Sequence, residues 1–300
     1  MNKVRVAAAL FACAGLGGLV GVPMTTALAS ATAQPLPNML VAIRAAHHPG
    51  FDRLVFEFRG RLPDQRSVRY VSKVIADPSG KVVSVVGSAR LLVRFYAANG
   101  HNSKGQVSYG PERRTYALPE LIQVANAGDF EAVLRFGVGV AKQEPFHVLT
   151  LSNPSRFVID IATPFRTTNV RDYFRDLHRV ATGKPPLTLA VTRPVIPPAV
   201  AFGALQRLYA GPTQAELAAG LRFISSKTTG FSKVTISDQV ARVYLTGGCS
   251  SGGSTFTVAN EITPTLKQFS SVRWVKIYSP SGQTKRPNGK SDSIPACLEP

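Results

Sequence analysis

Between residues 47 and 163 apolar and polar positions alternate with a period of two. Residues 51–58 set the pattern, with Leu54, Phe56 and Phe58 on one face and Val55 and Glu57 on the other. Further strand-like runs fall at residues 70–76, 90–97, 132–140, 146–151 and 156–161. Turn chemistry separates them at Asp77-Pro78-Ser79-Gly80, Asn99-Gly100, Asn126-Ala127-Gly128-Asp129 and Asn153-Pro154-Ser155. Short alternating strands at this spacing predict an antiparallel sandwich. Residues 166–198 read differently. Asn169 is placed to cap a short helix with Val170, Phe174, Leu177 and Val180 on one face, Arg171, Arg175 and Arg179 on another, and Gly183 at its end. With Asp172 and Asp176 beside it, the arginine row reads as a solvated face. Pro185, Pro186, Pro194, Pro197 and Pro198 then predict an extended, semi-rigid linker.

Beyond Pro198 the period changes. A helix is expected at residues 201–209, and Thr213 can cap a second one with Glu216 at its third position, a capping box. A hairpin over 231–237 and 240–246 turns at Asp238-Gln239, and a helix over 254–269 and a strand over 272–278 follow. This is a small α+β unit. The expected organisation is therefore a leader at 1–33, an all-β sandwich at 34–166, a linker at 167–198 and an α+β domain at 199–300.

The leader changes the compartment. Lys3 and Arg5 precede a charge-free run over residues 6–22, Pro23 ends it, and small-x-small sites follow at Ala27-Leu28-Ala29, Ala29-Ser30-Ala31 and Ala31-Thr32-Ala33. This reads as an export signal, which places the mature chain outside the cytoplasm, secreted or in the cell envelope. An uncleaved anchor is the alternative, and a lipidated Cys13 fits poorly because Phe11 stands where a small residue belongs. No later segment is long and apolar enough to span a bilayer. Removing the leader leaves Cys249 and Cys297, most simply one disulfide in an oxidising compartment.

Two family resemblances emerge from these stretches. Gly50-Phe51-Asp52-Arg53-Leu54-Val55-Phe56-Glu57-Phe58 and Pro154-Ser155-Arg156-Phe157-Val158-Ile159-Asp160-Ile161 resemble the first and last strands of the AMIN-like domain of actinobacterial envelope proteins. The resemblance marks Asp52, Arg53, Arg156 and Asp160 as motif positions and implies a non-catalytic module that holds its owner at the cell wall. Leu208-Tyr209-Ala210-Gly211-Pro212-Thr213-Gln214-Ala215-Glu216, followed by Gly220-Leu221, resembles the signature of GerMN domains of spore-germination and envelope proteins. Residues 234–245, 265–269 and 272–277 are similar to that family's hairpin, last helix and last strand. Gly211, Pro212, Thr213 and Glu216 carry this second motif, whereas the family's first strand is poorly represented by residues 187–191.

Candidate chemistry adds little. Residues 248–252 formally spell G-x-S-x-G, but the last histidine, His178, precedes Ser250, against the order a nucleophile elbow needs. The same loop nearly matches a P-loop, with Gly253 in place of the lysine. His47 and His48 are adjacent and the remaining histidines isolated, so no metal and no cofactor is expected. Charge is more informative. The 300 residues carry a formal +18, and the chain beyond Ala33 has 33 basic and 17 acidic residues. The excess is spread over all three regions. Nucleic acid suits such a balance, but export argues against it, whereas peptidoglycan or an anionic wall polymer suits both charge and location. The sequence thus reads as a non-enzymatic envelope protein: the sandwich docks on wall material, and the last domain makes a protein–protein or self-association contact. A wall hydrolase, or the activator of one, is the alternative reading.

Overall fold

In the computed structural model, which describes residues 38–300, the chain enters as a strand. β1 (Asn38–His48) pairs antiparallel with β2 (Phe51–Arg59), from Met39 opposite Arg59 to His48 opposite Phe51. The expected leader, its cleavage sites and Cys13 lie outside the described residues. There follow β3 (Arg66–Tyr70), the two-residue strands β4 (Val74–Ile75) and β5 (Val82–Val83), β6 (Ala89–Tyr96), β7 (Ala98–Asn99) and β8 (Arg113–Thr115). β9 (Leu121–Phe130), β10 (Val133–Val140), β11 (Phe146–Leu151) and β12 (Ser155–Ala162) complete the region. They form two five-stranded sheets, ordered β11-β12-β2-β1-β7 and β3-β6-β10-β9-β8. The alternating residues Leu54, Phe56 and Phe58 of the first sheet meet Val93, Phe95, Phe136 and Val138 of the second in one core. The edge-to-face contact of Phe56 with Phe95, centroids 5.2 Å apart, is typical of its packing.

The pattern reading missed the long strands β1 and β9 and the short β5, β7 and β8. β1 is rich in alanine and carries little β signal of its own. The Asn126–Asp129 stretch is a bulge inside β9, where the pairing with β10 slips between Arg135 and Phe136, and the reversal falls at Glu131 and Ala132, both at positive φ. The expected run over 70–76 also splits into β3 and β4. The β4–β5 hairpin lies across the outside of β10 because two glycines give it room. A Cβ on Gly139 would stand 1.9 Å from the Val86 carbonyl oxygen, and one on Gly137 2.9 Å from Val74.

The expected linker is a folded hairpin. β13 (Thr168–Asp176) pairs with β14 (Thr188–Val195) from Thr168 opposite Val195 to Arg175 opposite Thr188, and helix occurs only in α1 (Leu177–Thr182) between them. Val170 and Phe174 fit a helical spacing, but with Asp172 they also fit a period of two. The second period wins because β14 supplies a partner and both apolar side chains become buried. Asp176 caps α1 through the amides of His178 and Arg179, and Gly183 ends it in the left-handed region.

α2 (Val200–Ala210) and α3 (Gln214–Ala218) follow, then β15 (Leu221–Arg222), β16 (Thr228–Ser237), β17 (Val240–Gly247), α4 (Ala259–Lys267) and β18 (Trp274–Tyr278). β15 joins β13 and β14, and β16-β17-β18 form a further sheet with β18 parallel to β17. The β16–β17 turn uses Asp238 and Gln239 at φ 52° and 66°. α2 and α4 pack on each other and on β13 around Phe174, Leu205, Leu208, Val243, Ile262 and Ile277. Cys249 and Cys297 are joined in a disulfide with Cα atoms 5.7 Å apart. Pro37–Pro300 form one compact unit, so the sandwich and the α+β part share an interface.

Candidate functional site

In β2 and β12 every second side chain points away from the core. Register sets Arg53 opposite Asp160, Val55 opposite Val158 and Glu57 opposite Arg156. The Arg53 fork donates from Nε and Nη2 to the two Asp160 oxygens, both at 2.7 Å, a bidentate pair that fixes two strands in register. That bond also raises the Arg53 pKa. Glu57 accepts from Arg44 of β1, and the Arg53 guanidinium lies 5.2 Å from the Phe51 ring centre. β11 extends the face with His147, Leu149 and Leu151 opposite Asp160, Val158 and Arg156. The result is a strip in which Val55, Leu149 and Leu151 are half-buried around a fully buried Val158, flanked by ion pairs, and α2 and α4 pack on β13 instead of over it. Such a face can hold an extended polar chain.

The motif positions predicted from sequence separate into three places. Arg53, Arg156 and Asp160 lie together on the outer face. Asp52 points the other way: fully buried, its Oδ2 accepts from the amides of Glu120 at 2.6 Å and Leu121 at 2.9 Å, and its Oδ1 accepts from His47 Nδ1 at 2.7 Å. It ties the start of β2 to the start of β9 across the core. Gly211, Pro212, Thr213 and Glu216 are far along the chain at the end of α2. Gly211 leaves the helix at φ 82°, and Thr213 and Glu216 form the capping box of α3. The Glu216 carboxylate also accepts from Arg193 Nη1 at 2.7 Å and Nη2 at 2.5 Å. Burial pushes its pKa up, but the Arg193 and Thr213 bonds outweigh this and hold it below the usual value.

Helix α2 forms the seam. Its last carbonyl, on Ala210, accepts from Thr115 Oγ1 at 2.5 Å and Gln123 Nε2 at 3.1 Å, both from the sandwich. Arg207, 1% exposed, donates to the carbonyl oxygens of Pro119 at 2.8 Å and of Tyr116 and Leu121 at 3.4 Å. Gln206 Nε2 donates to Ser88 Oγ at 3.1 Å. Burial lifts Glu120 to about 8 and Asp172 well above the carboxylate range, and lowers Arg207 to about 10. Sequence reading missed Glu120, Arg193 and Arg207, and it set Asp172 beside a solvated face where the structure buries it fully. The one available signal was Arg207 itself, the only charged residue in the helical run.

A family model, the AMIN-like domain, matches residues 38–163. That span is an AMIN-like domain. No curated protein and no solved structure matches the chain. The AMIN-like domain begins one strand earlier than the sequence motifs implied: β1 precedes β2, so the Gly50–Phe58 motif is its second strand, while β12 is its last. The outer ion-paired face belongs wholly to this domain. The seam is mixed, with Ser88, Thr115 and Gln123 on the AMIN-like side and α2 outside it.

The glycine-rich loop offers little chemistry. Ser250 Oγ accepts from the Gly252 amide at 3.2 Å, and Ser251 N donates to the Cys297 carbonyl at 2.7 Å, so the loop fastens the disulfide-linked C-terminal segment. Among the described residues no group of three or more His, Cys, Asp or Glu is placed to hold a metal ion.

Proposed function

We propose that the protein is an exported, non-enzymatic cell-envelope protein whose AMIN-like domain binds wall material through the outer face of β11, β12, β2 and β1. The observation that carries this reading is that the motif residues gather on one outer face of the sheet. Arg53, Asp160 and Arg156, the positions the AMIN-like motifs single out, stand together there around an aliphatic strip. Several features support it: AMIN-like domains are typically cell-wall associated, the leader reads as an export signal, and the positive balance suits peptidoglycan or an anionic wall polymer. The α+β part, which resembles GerMN domains, would make the protein–protein or self-association contact.

Cosedimentation of the mature protein with purified sacculi, with and without attached anionic polymers, tests this reading. Arg156→Glu on the face should abolish pelleting at physiological salt, while the exposed Lys290→Glu, matched in charge change, should leave it intact. Exposed charges more than about 10 Å apart are screened at 0.1 M salt, so equal loss from both variants would reduce the interaction to general electrostatics.

A further inference from the structure

An exposed strand edge carries unpaired amides and carbonyls that another strand can pair with, so folded proteins blunt it with charge, proline, bulges or brevity. Among the described residues every sheet edge but one is blunted. β3 carries the exposed Arg66 and Arg69, β8 is three residues long with two arginines, and β14 contains Arg193 and Pro194. β16 has two breaks in register and Lys233, and β4, β5, β7 and β15 are each two residues long. β18 is covered by Ser293, which bonds to Val275 and Ile277. The remaining edge is β11, Phe146-His147-Val148-Leu149-Thr150-Leu151. It ends its sheet, holds no Lys, Arg, Asp, Glu or Pro, and pairs with β12 without a break.

Register shows which of its groups are free. The Ala162 amide donates to the Pro145 carbonyl, and alternation along an antiparallel ladder then turns the backbone of His147, Leu149 and Leu151 toward β12. Phe146, Val148 and Thr150 direct their amides and carbonyls outward, and no hydrogen bond from the other described residues reaches them. The strand is complementary to a second copy of itself. A two-fold axis at Val148 sets Val148 against its counterpart, Phe146 against Thr150 and His147 against Leu149. The pairs Val148–Val148 and Phe146–Thr150 each exchange two backbone bonds, and no like charges face each other. Val148, 36% exposed, becomes covered. The rim matches as well. The Arg66 guanidinium lies 5.9 Å from the Phe157 ring, and Phe157 stands opposite Thr150, whereas Tyr70 meets Phe146 edge to face at 5.8 Å. The axis brings the Arg66 end of one copy to the Tyr70–Phe146 end of the other, so that a cation meets aromatic rings and not a second cation.

We propose that the protein forms a two-fold dimer in which β11 pairs antiparallel with β11 of a second copy, joining two five-stranded sheets into one. The axis is perpendicular to the joined sheet, so both sets of Arg53, Arg156 and Asp160 stand on the same side of it. A long repeating polymer on that side is then held at two points. The pairing itself does not rest on wall binding.

Sedimentation equilibrium of the mature protein tests the dimer, and cysteine cross-linking tests its register. Reversible dimerisation is expected with a dissociation constant of about 1 mM or tighter. Val148→Pro removes an outward amide and no bond to β12, and Thr150→Lys places a charge on the edge. Each should weaken the dimer at least about tenfold without altering the far-ultraviolet circular dichroism spectrum. Ile236→Lys, at an exposed apolar position in β16 of the α+β part, should leave the dimer intact. On mild oxidation Val148→Cys should give a disulfide-linked dimer, because facing Cα atoms in a hydrogen-bonded pair are about 5.5 Å apart. Thr150→Cys should not, because it is offset from its counterpart by about four residues, roughly 14 Å. A parent that stays monomeric at about 1 mM would overturn the proposal. So would a dimer that survives both Val148→Pro and Thr150→Lys, one that is lost on Ile236→Lys, or cross-linking by Thr150→Cys in place of Val148→Cys.

Discussion

Asp52→Ala removes the acceptor that joins the two sheets at one end of the sandwich. Oδ2 serves two backbone amides, those of Glu120 and Leu121, and the carboxylate is fully buried. Alanine leaves both amides without a partner, at about 1–3 kcal/mol for each stranded group. The lost bond to His47 adds little, since that imidazole is half exposed and water replaces the carboxylate. A cost of about 3 kcal/mol corresponds to a fall in Tm of roughly 6–12 °C for a unit of this size. Asp52→Asn separates shape from charge. Its single oxygen can still take both amides, and its amide group can donate to the other tautomer of His47. It should therefore cost only about 1 kcal/mol, the loss of charge assistance. Thermal melts followed by far-ultraviolet circular dichroism give both numbers. The reasoning fails if Asp52→Ala melts within about 2 °C of the parent, or if the asparagine variant falls as far as the alanine variant.

The seam should make unfolding a single event. The sole tryptophan, Trp274, sits in β18 of the α+β part, so its fluorescence transition in urea should coincide with the circular dichroism transition of the whole; two separated midpoints would show independent domains. Cys297→Ser opens a 48-residue loop and should cost about 4 kcal/mol, read as a lowered urea midpoint that reduction of the parent reproduces. Glu120 has a folded pKa of about 8 against 4.5 for the free side chain, so its contribution is full below 4.5 and is lost as the pH rises through 8. The urea midpoint should fall across that window, and Glu120→Gln should flatten the fall; an unchanged slope in the variant would refute the assignment.

Local chemistry was legible in the sequence wherever neighbours in the chain decide the conformation. The Asp238-Gln239 turn, the Thr213–Glu216 capping box and the Gly183 helix stop were readable because each rests on a few adjacent residues. The alternation of Leu54, Phe56 and Phe58 gave the core face of β2 for the same reason. Residues 168–195 were not legible, since Val170 and Phe174 satisfy two periods and only the distant pairing with β14 chooses between them. Asn126–Asp129 has turn composition, but β10 runs alongside and absorbs it as a bulge. Of the candidate face, the residue types were visible at Arg53, Arg156 and Asp160; that Asp52 points inward follows from alternation, but its amide partners 68 and 69 residues away do not. The seam was invisible because Arg207, Glu120 and Ser88 come from separate parts of the chain.

The docking of α2 has a consequence for how such a protein can be cut and recombined. A fragment ending at Thr163 would keep every strand of the two five-stranded sheets, yet leave Thr115 and Gln123 without their Ala210 acceptor and bare the β8–β9 connection whose carbonyls received Arg207. The remaining piece would carry a helix apolar on most sides, with an arginine whose carbonyl partners had gone. Each half would present to solvent the surface the other was made to cover. A gene fusion that exchanged the C-terminal part for an unrelated one would therefore have to bring its own helix into that groove, or the sandwich would associate through it.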